Sequence, residues 1–277
     1  MSERQVGPGS YVAPTVELGD NVVIGRNAII DGAGRLDDGV VVGHGAVIQG
    51  EFSIGKETSI GHHTVIQGRN HVGVANEIGP FCSFGTQPQY PTRRHEKSTG
   101  RIILGNNNII REYTSITLPM EDEETSVGDD CYIMSYSHVG HDCRIGRGVI
   151  MTNEATLGGH VHVHDYANIG LNVAVHQWCH IGAYAMVGMG SAILRDVMPF
   201  CTFSGGRSIM LNLLGMRRNG VKDEDIKRIG KLYSKFSAQE KVPKDSWYGR
   251  MVALFVEESK RGCYPPPGKP EVPGRSS

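Results

Sequence analysis

Three histidines, His141, His160 and His176, stand among Asp142, Gly158, Gly159 and Gln177 at a recurring spacing of 18, and a fourth, His138, precedes His141 by three places. Eighteen residues after Gly140 come Gly158 and then His176; after His141 come Gly159 and Gln177; after Asp142 come His160 and Trp178. A fold that stacks residues 18 apart gathers these side chains into one patch. A neutral imidazole is well suited to take a proton from a hydroxyl near pH 7. A glycine beside it lets a backbone N–H approach a developing oxyanion closely. The chemistry such a patch suits is acyl transfer.

Two plainer uses of the same residues compete. Each histidine alone reads as a solvated side chain on the outside of a coil, because none occupies an inward phase of the repeat described below. Clustered histidines also bind metal, and His138-x-x-His141 with His160, or His160-x-His162-x-His164, offers three nitrogens. Zinc needs three or four ligands converging on one point, and no established ligand spacing is found here, so no metal is expected.

The element that must position these residues is a repeat of six. An apolar residue falls at every sixth place from Val127 to Ile193, and an earlier run from Leu18 to Phe84 keeps one frame that Val6 and Val12 also fit. Neither a helix nor a flat sheet has that period. A hexapeptide repeat marks a parallel β-helix, whose short strands must stack on their neighbours. In the left-handed β-helix that such repeats resemble, three hexads close one triangular coil, so residues 18 apart lie roughly 4.8 Å apart. The count gives nine coils, ten with the N-terminal pair.

Two segments leave the frame. Phe84 and Leu104 enclose a Pro-rich, basic loop at 86–101, and Ile116 and Val127 enclose an acidic loop at 118–126. Loops that break a strict core more often serve function than packing. After Pro199 the hexad stops, and three stretches read as helices: SIMLNLLGMRRNG, KDEDIKRIGKLYSKFSAQE and KDSWYGRMVALFVEESKRG. Ile226, Ile229, Leu232, Tyr233 and Phe236 share one face, as do Trp247, Met251, Leu254 and Phe255. The expected division is a mainly β domain over 1–199, a small α-helical domain over 200–262 and a disordered tail over 263–277.

Composition fits a solenoid. Gly at 37 of 277 residues is about twice the ordinary usage of about 7%, as many tight turns require. A formal charge of −1 supplies no field for nucleic acid or an anionic membrane. No window approaches the ~20 apolar residues of a membrane span, and the start, MSERQVGPGS, has no apolar run, so no stable membrane insertion and a cytoplasmic location are expected. Cys82, Cys131, Cys143 and Cys179 each precede a repeat apolar residue by two, a slot elsewhere held by Ala, Val or Thr, and therefore read as core filler.

The segments SYSHVGHDCRIG (135–146), NEATLGGHV (153–161), AVHQWCHIGAYAMVG (174–188) and NLLGMRRNG (212–220) resemble the UDP-N-acetylglucosamine O-acyltransferase family of lipid A biosynthesis. GNNNIIREYTSIT (105–117) extends the likeness. The resemblance implies a homotrimer of left-handed β-helices with active sites between subunits, an acyl carrier protein thioester as donor, a nucleotide sugar as acceptor, and no dissociable cofactor. It implies that His141 is the general base, that Asp142 supports its charge, and that the Gly159 N–H holds the oxyanion. His138, His160, His176, Gln177 and Gln89 would position substrates, Asn212 and Arg218 match positions near the nucleotide, and Met189 stands where a Gly opens a long acyl groove.

The chain departs from the family pattern on the acceptor side. Tyr90 and Thr92 take the Asp and Lys places of a Pro-Gln-Asp-x-Lys-Tyr element, with Arg93 or Arg94 offering a replacement charge. Thr117 to Met120 replace a His-Arg-Gly-Thr element, and Leu214 replaces an acidic residue. These changes carry the alternative expectation, an acyltransferase acting on another nucleotide-linked or secondary-metabolite hydroxyl or amine, with an acyl-CoA donor. A non-catalytic solenoid that binds a partner along its faces is a third reading, disfavoured by His141, Gly159 and His176 on adjacent coils.

Overall fold

The structure, a computed structural model, describes residues 5–236 and 242–267. Each hexad forms a short strand whose apolar residue points inward, and strands pair in parallel with the strand 18 residues on. His138–Val139 lies on Thr156–Leu157, and Arg144–Ile145 on His162–Val163. Ile30, Ile48, Ile66, Val139 and Ile169 are wholly buried, as are Ala28, Ala46, Ala155 and Cys143 in the slot two places earlier. Burial pushes the Cys143 thiol up to about 12, so it packs as a small apolar group, and all six cysteines are free.

One face stacks twelve strands, from Gln5–Val6 to Arg207–Leu211, all parallel except the last. That makes eleven coils in a parallel β-helix, where the hexad count gave nine or ten. Val6 opens the first coil, and the last hides because Val197 pairs with Ile181 and Phe203 with Val187, 16 residues on instead of 18. The solenoid therefore runs past Pro199 to Cys201–Ser204. Arg207–Leu211, expected as the start of a helix, turns back antiparallel onto that strand. An open sheet end leaves unpaired N–H and C=O groups, and pairing them overrides the helical propensity of Leu and Met.

Both loops emerge at the same corner, leaving the wall of Ser83–Thr86 and Ser115–Thr117 and rejoining at the next wall, that of Arg101–Leu104 and Glu124–Val127. Across the first, Ile78 pairs with Ile110, and across the second, Ile110 with Ile133, offsets of 32 and 23 residues. The coils thus close as though the loops were absent. The corners impose a left-handed backbone on ordinary residues, including Asp142 (φ 60°), His160 (φ 59°) and Trp178 (φ 67°) in one vertical column. Such a conformation costs an L-residue roughly 1–2 kcal/mol. Stacking within the column offsets it, since the His160 and Trp178 rings lie 3.7 Å apart and 4° from parallel.

Three helices follow: α1 (Leu213–Arg218), α2 (Asp223–Ser234) and α3 (Trp247–Glu258). Ile226, Ile229, Tyr233 and Phe236 pack with Val252 and Phe255 against Met198 and Phe200 at the solenoid's end. Leu254, expected on the buried face of α3, is exposed, and Val252 takes that place. The Tyr233 hydroxyl donates to the Pro199 carbonyl at 2.7 Å. Cys263–Tyr264, within the stretch expected to be a tail, pairs in parallel with Asp196–Val197. Residues 268–277 lie outside the described residues. No described helix is long and apolar enough to cross a membrane.

Candidate active site

His141 and Asp142 occupy adjacent places at one corner, and the left-handed backbone of Asp142 turns its carboxylate back under the His141 ring. His141 Nδ1 lies 2.7 Å from Asp142 Oδ2. The carboxylate also accepts backbone N–H groups from Met120 at 3.0 Å, Glu121 at 3.0 Å and Asp122 at 2.7 Å. Burial works to raise its pKa, but the His141 ring and these three donors outweigh that and hold it at about 2. An ionised carboxylate only accepts, so Nδ1 carries the proton and Nε2 is left as a base.

That second nitrogen faces glycine. A β-carbon at Gly159 would collide with the His141 ring atoms, Nε2 among them, so only glycine fits against it. At comparable corners the N–H is taken by a side chain one coil on, as Arg26 N–H is by His44 Nδ1 and Arg147 N–H by Asp165. The residue one coil beyond Gly159 is Gln177, and the Gly159 N–H has no acceptor among the described residues. A base and a free backbone donor thus share one groove of about 420 Å³. His138, His176, Gln177 and Gln89 also line it.

His138 shares a hydrogen bond with the Ser115 hydroxyl at 2.8 Å, and burial, with the neighbouring His141 imidazole, holds it below the ordinary imidazole value. His176 and Gln177 are exposed at the rim. His160 is brought to the cluster but not to the groove. Its ring meets His141 edge-on at 5.2 Å and stacks on Trp178, with Lys260 Nζ 4.0 Å from the indole. Burial lowers its pKa against the opposing pull of Asp142. His141 and His160, expected as outward or corner residues, point away from the core yet are only 7% and 4% exposed.

What covers them comes from the two loops, which periodicity left unresolved. The Tyr90 ring tilts over His141 at 5.3 Å, and its hydroxyl reaches Glu121. Arg93, offered by the sequence as a replacement charge for the substrate, is committed to Glu96 and Glu121 instead. The second loop wraps the Asp142 carboxylate with backbone donors, and these carry no mark in the sequence beyond the loop's existence. Metal ligation by His141, Asp142 and His160 is geometrically open, since their ligand atoms lie within 4.8 Å of one another. However, the Asp142 oxygens already accept from His141 and three N–H groups, which leaves little for an ion.

Three expected residues lie elsewhere on this chain. Met189 projects from a corner, 74% exposed. Asn212 caps α1, accepting from the Gly215 N–H at 3.0 Å while its amide donates to the Tyr184 carbonyl. Arg218 ends α1 on the surface.

Known proteins place this arrangement. Residues 124–159 match the model of the bacterial transferase hexapeptide (six repeats), and residues 196–264 match that of Udp N-acetylglucosamine O-acyltransferase, Domain 2. The acyl-[acyl-carrier-protein]--UDP-N-acetylglucosamine O-acyltransferase of Alkalilimnicola ehrlichii is 41% identical over 157 residues, 55% of this chain, and the match spans 60% of that protein's length. The protein of the same name from Nautilia profundicola is 36% identical over 201 residues, covering 68% of this chain and 77% of that one. A UDP-N-acetylglucosamine acyltransferase structure from Campylobacter jejuni superposes with a TM-score of 0.78 at 25% identity, over 95% of this chain and 99% of that one. The Francisella novicida enzyme gives 0.76 at 28% identity over 94% and 93%. Two thirds of the chain aligned with a relative of this name, and nearly all of it superposed on solved members, establish that it belongs to the UDP-N-acetylglucosamine O-acyltransferase family.

Proposed function

We propose that this chain transfers an acyl group from an acyl carrier protein thioester to a hydroxyl of UDP-N-acetylglucosamine, the first step of lipid A biosynthesis, as a cytoplasmic homotrimer. The observation that carries the reading is the Asp142–His141 pair with its free nitrogen against the unpaired Gly159 N–H. His141 Nε2 takes the proton as the sugar oxygen attacks the thioester carbonyl. The tetrahedral oxyanion is held by the Gly159 N–H. Its collapse forms the ester and expels the carrier's thiolate, which recovers the proton from His141. Asp142, kept ionised, stabilises the transient imidazolium. His138 and Gln89 bind substrate in the groove, His176 and Gln177 at its rim, and His160 braces the base. None of these steps requires a dissociable cofactor.

The test is incubation of the protein with UDP-N-acetylglucosamine and carrier thioesters of graded length, with and without a 3-hydroxyl, followed by mass analysis. An acylated nucleotide sugar supports the reading. No product from folded protein rejects it and favours a second one, in which the base is kept and another acceptor hydroxyl or amine is used, with a carrier-protein or acyl-CoA donor. Tyr90 over His141, where the family carries a carboxylate, is the observation behind that second reading.

A further inference from the structure

Where α3 docks on the solenoid, His164 and His180 face the helix from successive coils, and both rings pack on Phe255 at 5.4 and 6.1 Å. His164 Nε2 and His180 Nδ1 are buried and have no hydrogen-bond partner among the described residues. His180 is only 5% exposed. An unsatisfied buried polar atom costs about 1–3 kcal/mol, so two in one contact call for an explanation. One turn along α3 from Phe255 stands Glu258, and its carboxylate and one nitrogen of each ring lie within 4.8 Å of one another.

We propose that His164, His180 and Glu258 bind one divalent transition-metal ion, zinc by its ligand chemistry, which fastens α3 to the solenoid. Two neutral imidazoles and a carboxylate form an established zinc donor set, with water completing a tetrahedron. Donors about 2.0–2.2 Å from a tetrahedral ion sit roughly 3.4 Å from each other. Glu258 is exposed and ends its helix, so a rotamer change is open to it in closing the present spread of up to 4.8 Å. With two nitrogens on the solenoid and one oxygen on the helix, the ion would close the contact. α3 leads into Cys263–Tyr264, the strand that caps the solenoid, so the ion would hold both elements. The site is separate from the catalytic pair and does not rest on the proposed activity.

The test uses the untagged full chain, stripped with a chelator and then titrated with Zn²⁺ or Co²⁺ while bound metal, Co²⁺ visible absorption and melting temperature are followed. One equivalent per chain is expected, with a melting temperature raised by roughly 4 °C or more at an ion concentration a hundredfold above Kd. Glu258→Gln, on an exposed side chain that leaves packing intact, and His164→Asn are each expected to lose the tight equivalent. His141→Ala is expected to keep it. No saturable equivalent, an equivalent that survives Glu258→Gln, or one abolished by His141→Ala, which would place the ion in the catalytic cluster, each overturns the proposal.

Discussion

At the residue scale, the proposed chemistry hangs on one imidazole whose two nitrogens have different neighbours. His141→Ala is expected to lower kcat by at least ~10²-fold, the usual contribution of a positioned base, and to leave the melting temperature within a few degrees because the ring lies outside the core. Retained activity in folded protein would remove His141 from the mechanism. Gly159→Ala tests the other partner: its β-carbon must displace the His141 ring, so kcat should fall ~10²-fold or more. Wild-type turnover would show that the contact yields cheaply. Asp142 adds a stability signature. Its folded pKa, about 2, lies below the ordinary 3.8, so its stabilisation is complete above about pH 4 and is lost as pH falls towards 2. By the standard conversion that is ~2 kcal/mol. Denaturant melts should show the gap between wild type and Asp142→Asn narrowing from pH 5 to pH 3, and a gap independent of pH would mean the carboxylate is not held as described.

At the scale of elements, corners and loops make the site while strands only space it. Met189 shows this, standing at a corner between Gly188 and Gly190 with its side chain in the open. As the family resemblance implies an acyl groove at this place, Met189→Gly should extend the longest chain transferred by several carbons without altering the melting temperature, read by mass analysis against thioesters of graded length. An unchanged length profile would free Met189 of that role. The same division explains what the sequence made legible. Period six and its 18-residue columns bring His141, Gly159, His176 and Gln177 together from the sequence alone, because parallel stacking is set by apolar phase. It failed where phase slips or backbone acts. The 16-residue last coil hid Phe203, the SIML stretch became a capping strand, and the donors of Met120, Glu121 and Asp122 have no side-chain signature. Burial of His141 and His160 was invisible for the same reason, since their cover comes partly from loops that no repeat constrains.

At the scale of the molecule, residues with a common expected role are divided between the groove and other surfaces. His141, His176 and Gln89 line one groove, whereas Met189 and Arg218 stand exposed outside its lining, and Asn212 caps a helix. The proposed homotrimer, as a ring, would reconcile them, because each interface of a ring is heterologous and brings one surface of a protomer against a different surface of the next. A site built from both would need His141 from one chain and Arg218 from its neighbour. Co-expression tests this directly. His141→Ala and Arg218→Ala are each expected to be nearly inactive alone. In trimers assembled at random from equal amounts, about a quarter of interfaces join an intact His141 to an intact Arg218. Activity should therefore recover to about a quarter of wild type. If base and arginine served the same site from one chain, every site in the mixture would carry a lesion, and co-expression would restore nothing.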